Sequence, residues 1–180
     1  SARYLLTLIN DILDMSRIEA GKIKLNRETH DLKGILGETV EKLRAEYQGS
    51  SLALRYEGSD FACFCDYSLL QQAFHNVLAN ALSHNQAGVR VEALLVGIDQ
   101  NSLRVIISDD GSGIEDSMID TIFEKFVRAP HASPGGTGLG LPIARSIIEL
   151  HGGTISAKNR PEGGAVFEIT LPRRMTEGEK

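Results

Sequence analysis

Pro134-Gly135-Gly136-Thr137-Gly138-Leu139-Gly140-Leu141 is a glycine-rich run that passes directly into an apolar-periodic segment. Ile143, Ile147 and Leu150 continue a helical stripe from Leu139, and Pro142 fits this reading because it falls in the first turn. The stretch therefore reads as a glycine-rich loop feeding a helix N-terminus. Such an end presents unpaired backbone N–H groups and the positive end of the helix dipole, which together suit a phosphate. Glycines let the backbone approach phosphate oxygens with no Cβ in the way. A plain loop-to-helix turn has the same local pattern, so the meaning of this loop depends on what surrounds it.

Upstream, residues 115–135 form a long excursion. Ile119, Ile122, Phe123 and Phe126 predict a short helix, after which Arg128-Ala129-Pro130-His131-Ala132-Ser133-Pro134 has no period. A connection of this length inside a compact domain is usually functional or mobile. Before it, two strand-like runs, Val89–Val96 and Leu103–Ser108, flank a turn around Asp99-Gln100-Asn101. The second run ends in Asp109-Asp110-Gly111-Ser112-Gly113-Ile114. Asp109 is thus an acceptor held above a tight turn, able to take a hydrogen bond from an exocyclic amine such as that of adenine. A simple Asp-Gly turn remains the alternative.

The segment YSLLQQAFHNVLANALSHN, residues 67–85, predicts a helix buried through Leu70, Ala73, Phe74, Val77, Leu78, Ala81 and Leu82. Gln72, Asn76, Asn80 and Ser83 line one neighbouring face, and no formal charge occurs between Asp66 and Arg90. An uncharged amide row beside an apolar face suits coordination; a polar, half-buried flank is the plainer reading.

Toward the N-terminus, residues 4–20 predict a helix striped by Leu5, Ile9, Ile12 and Met15, widened by Leu6, Leu8, Leu13 and Ile18, with Gly21 as its stop. A stripe this broad calls for a partner, favouring an oligomerising coiled coil or bundle over packing on the chain's own core. Lys22–His30 reads as a linker. Asp31 caps a second helix carrying Leu32, Ile35, Leu36, Val40, Leu43 and Tyr47. Leu52–Tyr56 and Phe61–Cys65 then predict two strands paired with each other, and Thr154–Lys158 and Ala165–Leu171 two more strands after Gly152-Gly153. The order implies an α/β sandwich, one mixed sheet covered on one face by helices. The tail over 175–180 predicts disorder.

Composition narrows the function. A net charge of -5 leaves no broad basic field for nucleic acid. No apolar run reaches the roughly 20 residues of a membrane span. The chain opens inside a helical pattern with no signal peptide, the expectation for a piece of a longer polypeptide. Cys63 and Cys65, two apart on a strand, are poorly placed for a disulfide and read as ordinary strand cysteines of a reducing, cytoplasmic compartment.

Together these stretches resemble the boxes of the GHKL ATP-binding superfamily, specifically of sensor histidine kinases. Asn76-Val77-Leu78-Ala79-Asn80-Ala81 resembles the N box, and Asp109 to Ile114 the first Gly box. Ile122-Phe123-Glu124-Lys125-Phe126-Val127-Arg128 resembles the F box, and Gly136 to Leu141 the second Gly box. LINDILDMSRIEAGKIKL is similar to the second helix of the dimerisation and histidine-phosphotransfer domain. The resemblance implies a Bergerat-type two-layer α/β sandwich preceded by a long helix. It also implies ATP and Mg²⁺ as ligands, with Asn80 on the metal and Asn76 near the phosphates. Asp109 would bind the adenine amine, with Gly111, Gly113 and Ile114 around the base and ribose, and Thr137, Gly138, Leu139 and Gly140 would meet the phosphates. Phe123, Phe126 and Arg128 would belong to a lid over 115–137.

Three residues depart from the family pattern. Ser83 stands where the N box usually carries Lys, and His84 where an aromatic is common; both are candidate nucleotide contacts. Lys125 replaces a usual Pro. None of the five histidines sits in a phospho-acceptor context, so this chain is expected to act as a protein histidine kinase only toward a histidine supplied elsewhere. The resemblance divides the chain into residues 1–26, phosphotransfer helix and linker, and residues 27–174, catalytic domain. It implies a partner helix meeting residues 4–20 and a response-regulator receiver domain, with neither nucleic acid nor membrane contacted. A regulatory module acting by dimerisation, or another GHKL enzyme, is the alternative.

Overall fold

The structure is a computed structural model that describes residues 2–83, 85, 88–128 and 136–174, with backbone alone for Arg3 and Tyr4. His84, residues 129–135 and the 175–180 tail lie outside the described residues.

Five strands make the main sheet, in the order β2 (Ser51–Glu57), β4 (Arg90–Gly97), β5 (Ser102–Asp109), β7 (Ala165–Pro172), β6 (Thr154–Asn159). β2 runs parallel to β4 and the remaining pairs are antiparallel. Alternate residues of β4, β5 and β7 are buried, among them Val91, Ala93, Leu95, Val105, Ile107, Phe167 and Ile169, while their neighbours stay half-exposed. That period of two is what one covered face produces. The cover is helical: α2 (Leu32–Glu46), α3 (Tyr67–Ser83) and α4 (Gly140–Leu150) turn Leu36, Phe74, Leu78, Ile143 and Ile147 into a single core against the sheet. The expected two-layer sandwich is the observed one.

Local chemistry explains the ends of these helices. Asp31 accepts from the Lys33 N–H at 2.9 Å and caps α2. Asp66 does the same for α3, its Oδ1 accepting from Leu69 N–H at 3.1 Å. The N-terminal helix α1 (Ala2–Glu19) stops at Gly21, whose φ of 61° is left-handed.

Two expectations fail. Residues 51–57 and 62–65 do not pair with each other. Gly58 and the Asp60 carboxylate, which accepts from the Ala62 N–H at 2.9 Å, turn the chain out of the main sheet. β3 (Ala62–Cys65) then pairs antiparallel with β1 (Glu28–Asp31), and β2 finds β4 through the crossover that contains α3. Parallel neighbours need a crossover of that length, whereas a hairpin would have joined them antiparallel. The supposed linker over 22–30 is the second correction, because it contains most of β1. Glu-Thr-His-Asp is too short and too polar to signal a strand. Cys63 and Cys65 are free and buried on the same strand.

Candidate functional site

α3 and α4 lie side by side, and the polar flank of α3 faces the loop that starts α4. A cleft of about 360 Å³ opens between them. Asn76, Asn80 and Ser83 line it from α3, Arg128 from the excursion, and Gly136, Thr137, Gly138 and Gly140 from the loop. The volume falls within the ordinary range of small-molecule sites. Asn76 Nδ2 donates to the Gly140 carbonyl at 3.1 Å and ties the two helices together at the cleft. Gln72, the fourth of the amide row, is committed elsewhere: it donates to Asp14 Oδ2 of α1 at 2.7 Å.

The loop is shaped by Gly138. Its φ is 72°, and a Cβ there would lie 3.0 Å from the Phe126 Cα, so a larger residue would be strained and crowded at once. Its carbonyl accepts from the Phe126 N–H at 2.9 Å, joining the loop to the excursion. That excursion is not the helix expected from Ile119 to Phe126. Its described residues form a 3₁₀ turn, Asp116–Met118, followed by turns closed by local bonds such as Thr121 N–H to Met118 O at 2.9 Å. Phe123 and Phe167 meet at right angles, and the Arg145 guanidinium lies over the Phe123 ring. Phe126 is held through its backbone instead, with 64% of its surface exposed and φ of 62°. Leu139 is buried and serves the core.

Asp109, Gly111, Gly113 and Ile114 lie beyond this cleft, at the end of β5. Asp109 is 3% exposed, and its Oδ1 accepts from Gly111 N–H at 2.9 Å and from Ala165 N–H at 3.3 Å. Three side chains that the sequence did not single out brace this turn. Asn159 accepts from Ile114 N–H and donates to Ile114 O, both at 2.7 Å. Arg160 Nη1 donates to the Asp109 carbonyl at 2.9 Å. Asn85 accepts from Ser112 N–H at 3.2 Å while donating to Ala81 O at 2.7 Å, and so joins the end of α3 to the turn. A Cβ on Gly164 would overlap the Asp109 carbonyl. Each brace comes from a distant stretch with no local pattern; only Asn85, at the end of the amide-rich helix, stood near a visible signal.

Residues 65–175 match the family described as histidine kinase-, DNA gyrase B-, and HSP90-like ATPase. The chain belongs to that family. Within it, the chain is of the histidine-kinase type, an ATP-binding catalytic domain. It is 37% identical over 172 residues to the sensor protein KdpD of Escherichia coli, covering 93% of this chain and 19% of that protein. It is 33% identical to the sensor protein GacS of Pseudomonas syringae, covering 95% of this chain and 20% of the relative. A solved mycobacterial sensor histidine kinase, MprB, superposes with a TM-score of 0.75 at 28% identity, covering 83% of this chain and all of that one. Full-length ShkA in complex with AMPPNP gives 0.81 at 28% identity, over 96% of this chain and 36% of that one. The chain thus spans about a fifth of the length of KdpD and GacS. Among the described residues no helix is long and apolar enough to cross a membrane.

Proposed function

We propose that this catalytic domain binds Mg-ATP across both ends of the α3–α4 seam and supplies the γ-phosphate to a histidine on a partner helix. The observation that supports this most is the convergence of the uncharged amides Asn76 and Asn80 with the glycine loop and the N-terminus of α4 around one cleft. Backbone N–H groups of Gly138, Leu139 and Gly140 and the Thr137 hydroxyl would bind phosphate oxygens, and Arg128 would reach them from the lid. Asp109 would take the adenine amine: both of its bonds from described residues end on Oδ1, which leaves Oδ2 as acceptor. Gly111, Gly113 and Ile114 would border the base, Phe123 and Phe126 would carry the lid, and Ser83 and His84 would complete the phosphate end.

The residues fit magnesium. Asn80 brings a neutral amide to the same cleft as the glycine loop. Mg²⁺ bound through one protein oxygen keeps phosphates and waters as its other ligands. Bound there, the ion would neutralise phosphate charge. The chain's own residues then orient the triphosphate and exclude water, because phosphoryl transfer depends on positioning more than on covalent help. The P–O bond to the γ-phosphoryl group breaks, a bond to the acceptor histidine Nε2 forms, and ADP leaves.

In the whole protein we assign residues 1–26 to the phosphotransfer helix and linker and residues 27–174 to the catalytic domain. Residues 4–20 would dimerise, a receiver domain would accept the phosphoryl group, and the domain would work in the cytosol. The solved complex of histidine kinase ThkA with response regulator protein TrrA is the precedent for that partner. The test is transfer in trans: this chain, labelled ATP and a separate acceptor-helix protein. Label should appear on the acceptor only with Mg²⁺ and be lost in Asn80→Ala. A labelled acceptor in the absence of this chain's Asn80 and of Mg²⁺ would overturn the assignment.

A further inference from the structure

Helix α1 lies along the mouth of the cleft, and it brings a carboxylate to the phosphate loop. Thr137 Oγ1 donates to Asp11 Oδ2 at 2.6 Å, and the same hydroxyl accepts from Leu139 N–H at 3.3 Å. The loop therefore already directs a hydroxyl at an anion, and that anion belongs to the chain itself. Two further links hold the helix in place: Gln72 to Asp14, and an ion pair between Lys125 of the excursion and Glu19. Leu8, Asp11, Met15 and Ile18 are half-buried at helical spacing and form the docked face, with Met15 and Ile18 packed on the core. Thr7 also lines the cleft. Burial pushes the Asp11 carboxyl above its ordinary range, opposed by the Thr137 hydroxyl and assisted by Asp14.

We propose that Asp11 competes with the nucleotide's phosphates for the Gly136–Gly140 loop, so that a docked α1 and a phosphate-filled loop exclude one another. The inference rests on the nucleotide site proposed above. An ionised carboxylate held at a phosphate-binding hydroxyl repels a polyphosphate and occupies its donor. Because coupling is reciprocal, nucleotide must loosen α1 as much as α1 weakens nucleotide. Release of α1 would free Asp11, Asp14 and Glu19 together, because one helix carries all three. The site would then report its own occupancy through the position of the helix.

The test is calorimetric titration of Mg-AMPPNP into the full chain, wild type against Asp11→Asn. Asparagine keeps an acceptor for Thr137 and removes the charge. Affinity should rise about fivefold or more, in the usual range of coupling between sites. Glu28→Gln, the same charge change on exposed β1, should stay within about twofold by screening. Equal affinities for wild type and Asp11→Asn would overturn the inference and leave the nucleotide site standing. Heat from neither chain would remove both. Hydrogen exchange gives a second reading on the wild-type chain: amides of residues 5–18 should exchange faster with Mg-AMPPNP, and unchanged exchange contradicts the proposal even if Asp11→Asn fails to fold.

Discussion

The two ends of the candidate nucleotide site are built differently. At the base end, Asp109 lies in a strand at 3% exposure, and Asn159, Arg160, Asn85 and Ala165 all bond to its turn. At the phosphate end, among the described residues, the loop is tied to Phe126 through a backbone bond, to the Asn76 amide, and through the Thr137 hydroxyl to a helix that carries its own exposed apolar stripe. The base end is preformed by the sheet. The phosphate end is conditional on its neighbours, because two of its three partners come from the excursion and from α1, whose Leu5, Leu6, Ile9, Ile12 and Leu13 stay exposed. In the proposed site, such uneven bracing would place recognition of the base on rigid structure and leave the reacting end free to rearrange.

The sharpest way to break that contrast is Gly164→Ala. Gly164 has φ of 87° and no room beside the Asp109 carbonyl. The substitution should cost about 3 kcal/mol or more, from left-handed strain and overlap combined. Denaturant unfolding would measure it, and an unchanged midpoint would mean that the base end is not the rigid one.

Ser83→Lys sharpens the contrast from the other side. It restores a charge at the phosphate end, where a charge-assisted bond contributes about 1.5–3 kcal/mol, or roughly ten- to a hundredfold in affinity. Mg-ATP should bind more tightly by that factor while adenosine binds as before. A gain for adenosine of the same size would show that the two ends are not separable.

The smallest effect concerns the frame beneath both. His151 Nε2 accepts from the Asp66 N–H at 3.0 Å and Nδ1 meets the Ile147 carbonyl at 2.7 Å, which joins the end of α4 to the start of α3. Burial holds its pKa below 6.5, with the bond to the Ile147 carbonyl opposing and Arg27 assisting. A depressed histidine contributes stability that is present above the unfolded value near 6.5 and lost as pH falls through the folded pKa. His151→Gln should therefore flatten the decline in stability below that pH. An identical decline in the variant would exclude His151 as its source.

Much of this architecture was legible because strong periods coincide with burial. The apolar face of α3, the stripe of α4 and the strands β4, β5, β6 and β7 were all readable by counting residues. β1 was hidden by its four polar letters, and β2 was misassigned because a parallel partner across an intervening helix leaves no trace in local spacing. The same asymmetry holds at the site. Asn76, Asn80, Asp109 and the glycine loop announce themselves by type and order. Asn159 and Arg160 act on a turn whose residues lie 45 and 51 positions away, and Asp11 meets Thr137 across 126. Contacts of that range are set by the fold.

In the proposed site, Asp109 and the glycine loop serve one nucleotide. Calorimetric titration of Mg-ATP into the wild-type chain and Asp109→Asn tests it most directly. The variant keeps an Oδ1 acceptor for Gly111 and Ala165 and loses the charge offered to the base. Affinity should fall roughly ten- to a hundredfold with the unfolding midpoint little changed. Equal binding by the two folded chains would contradict the account and place the base elsewhere.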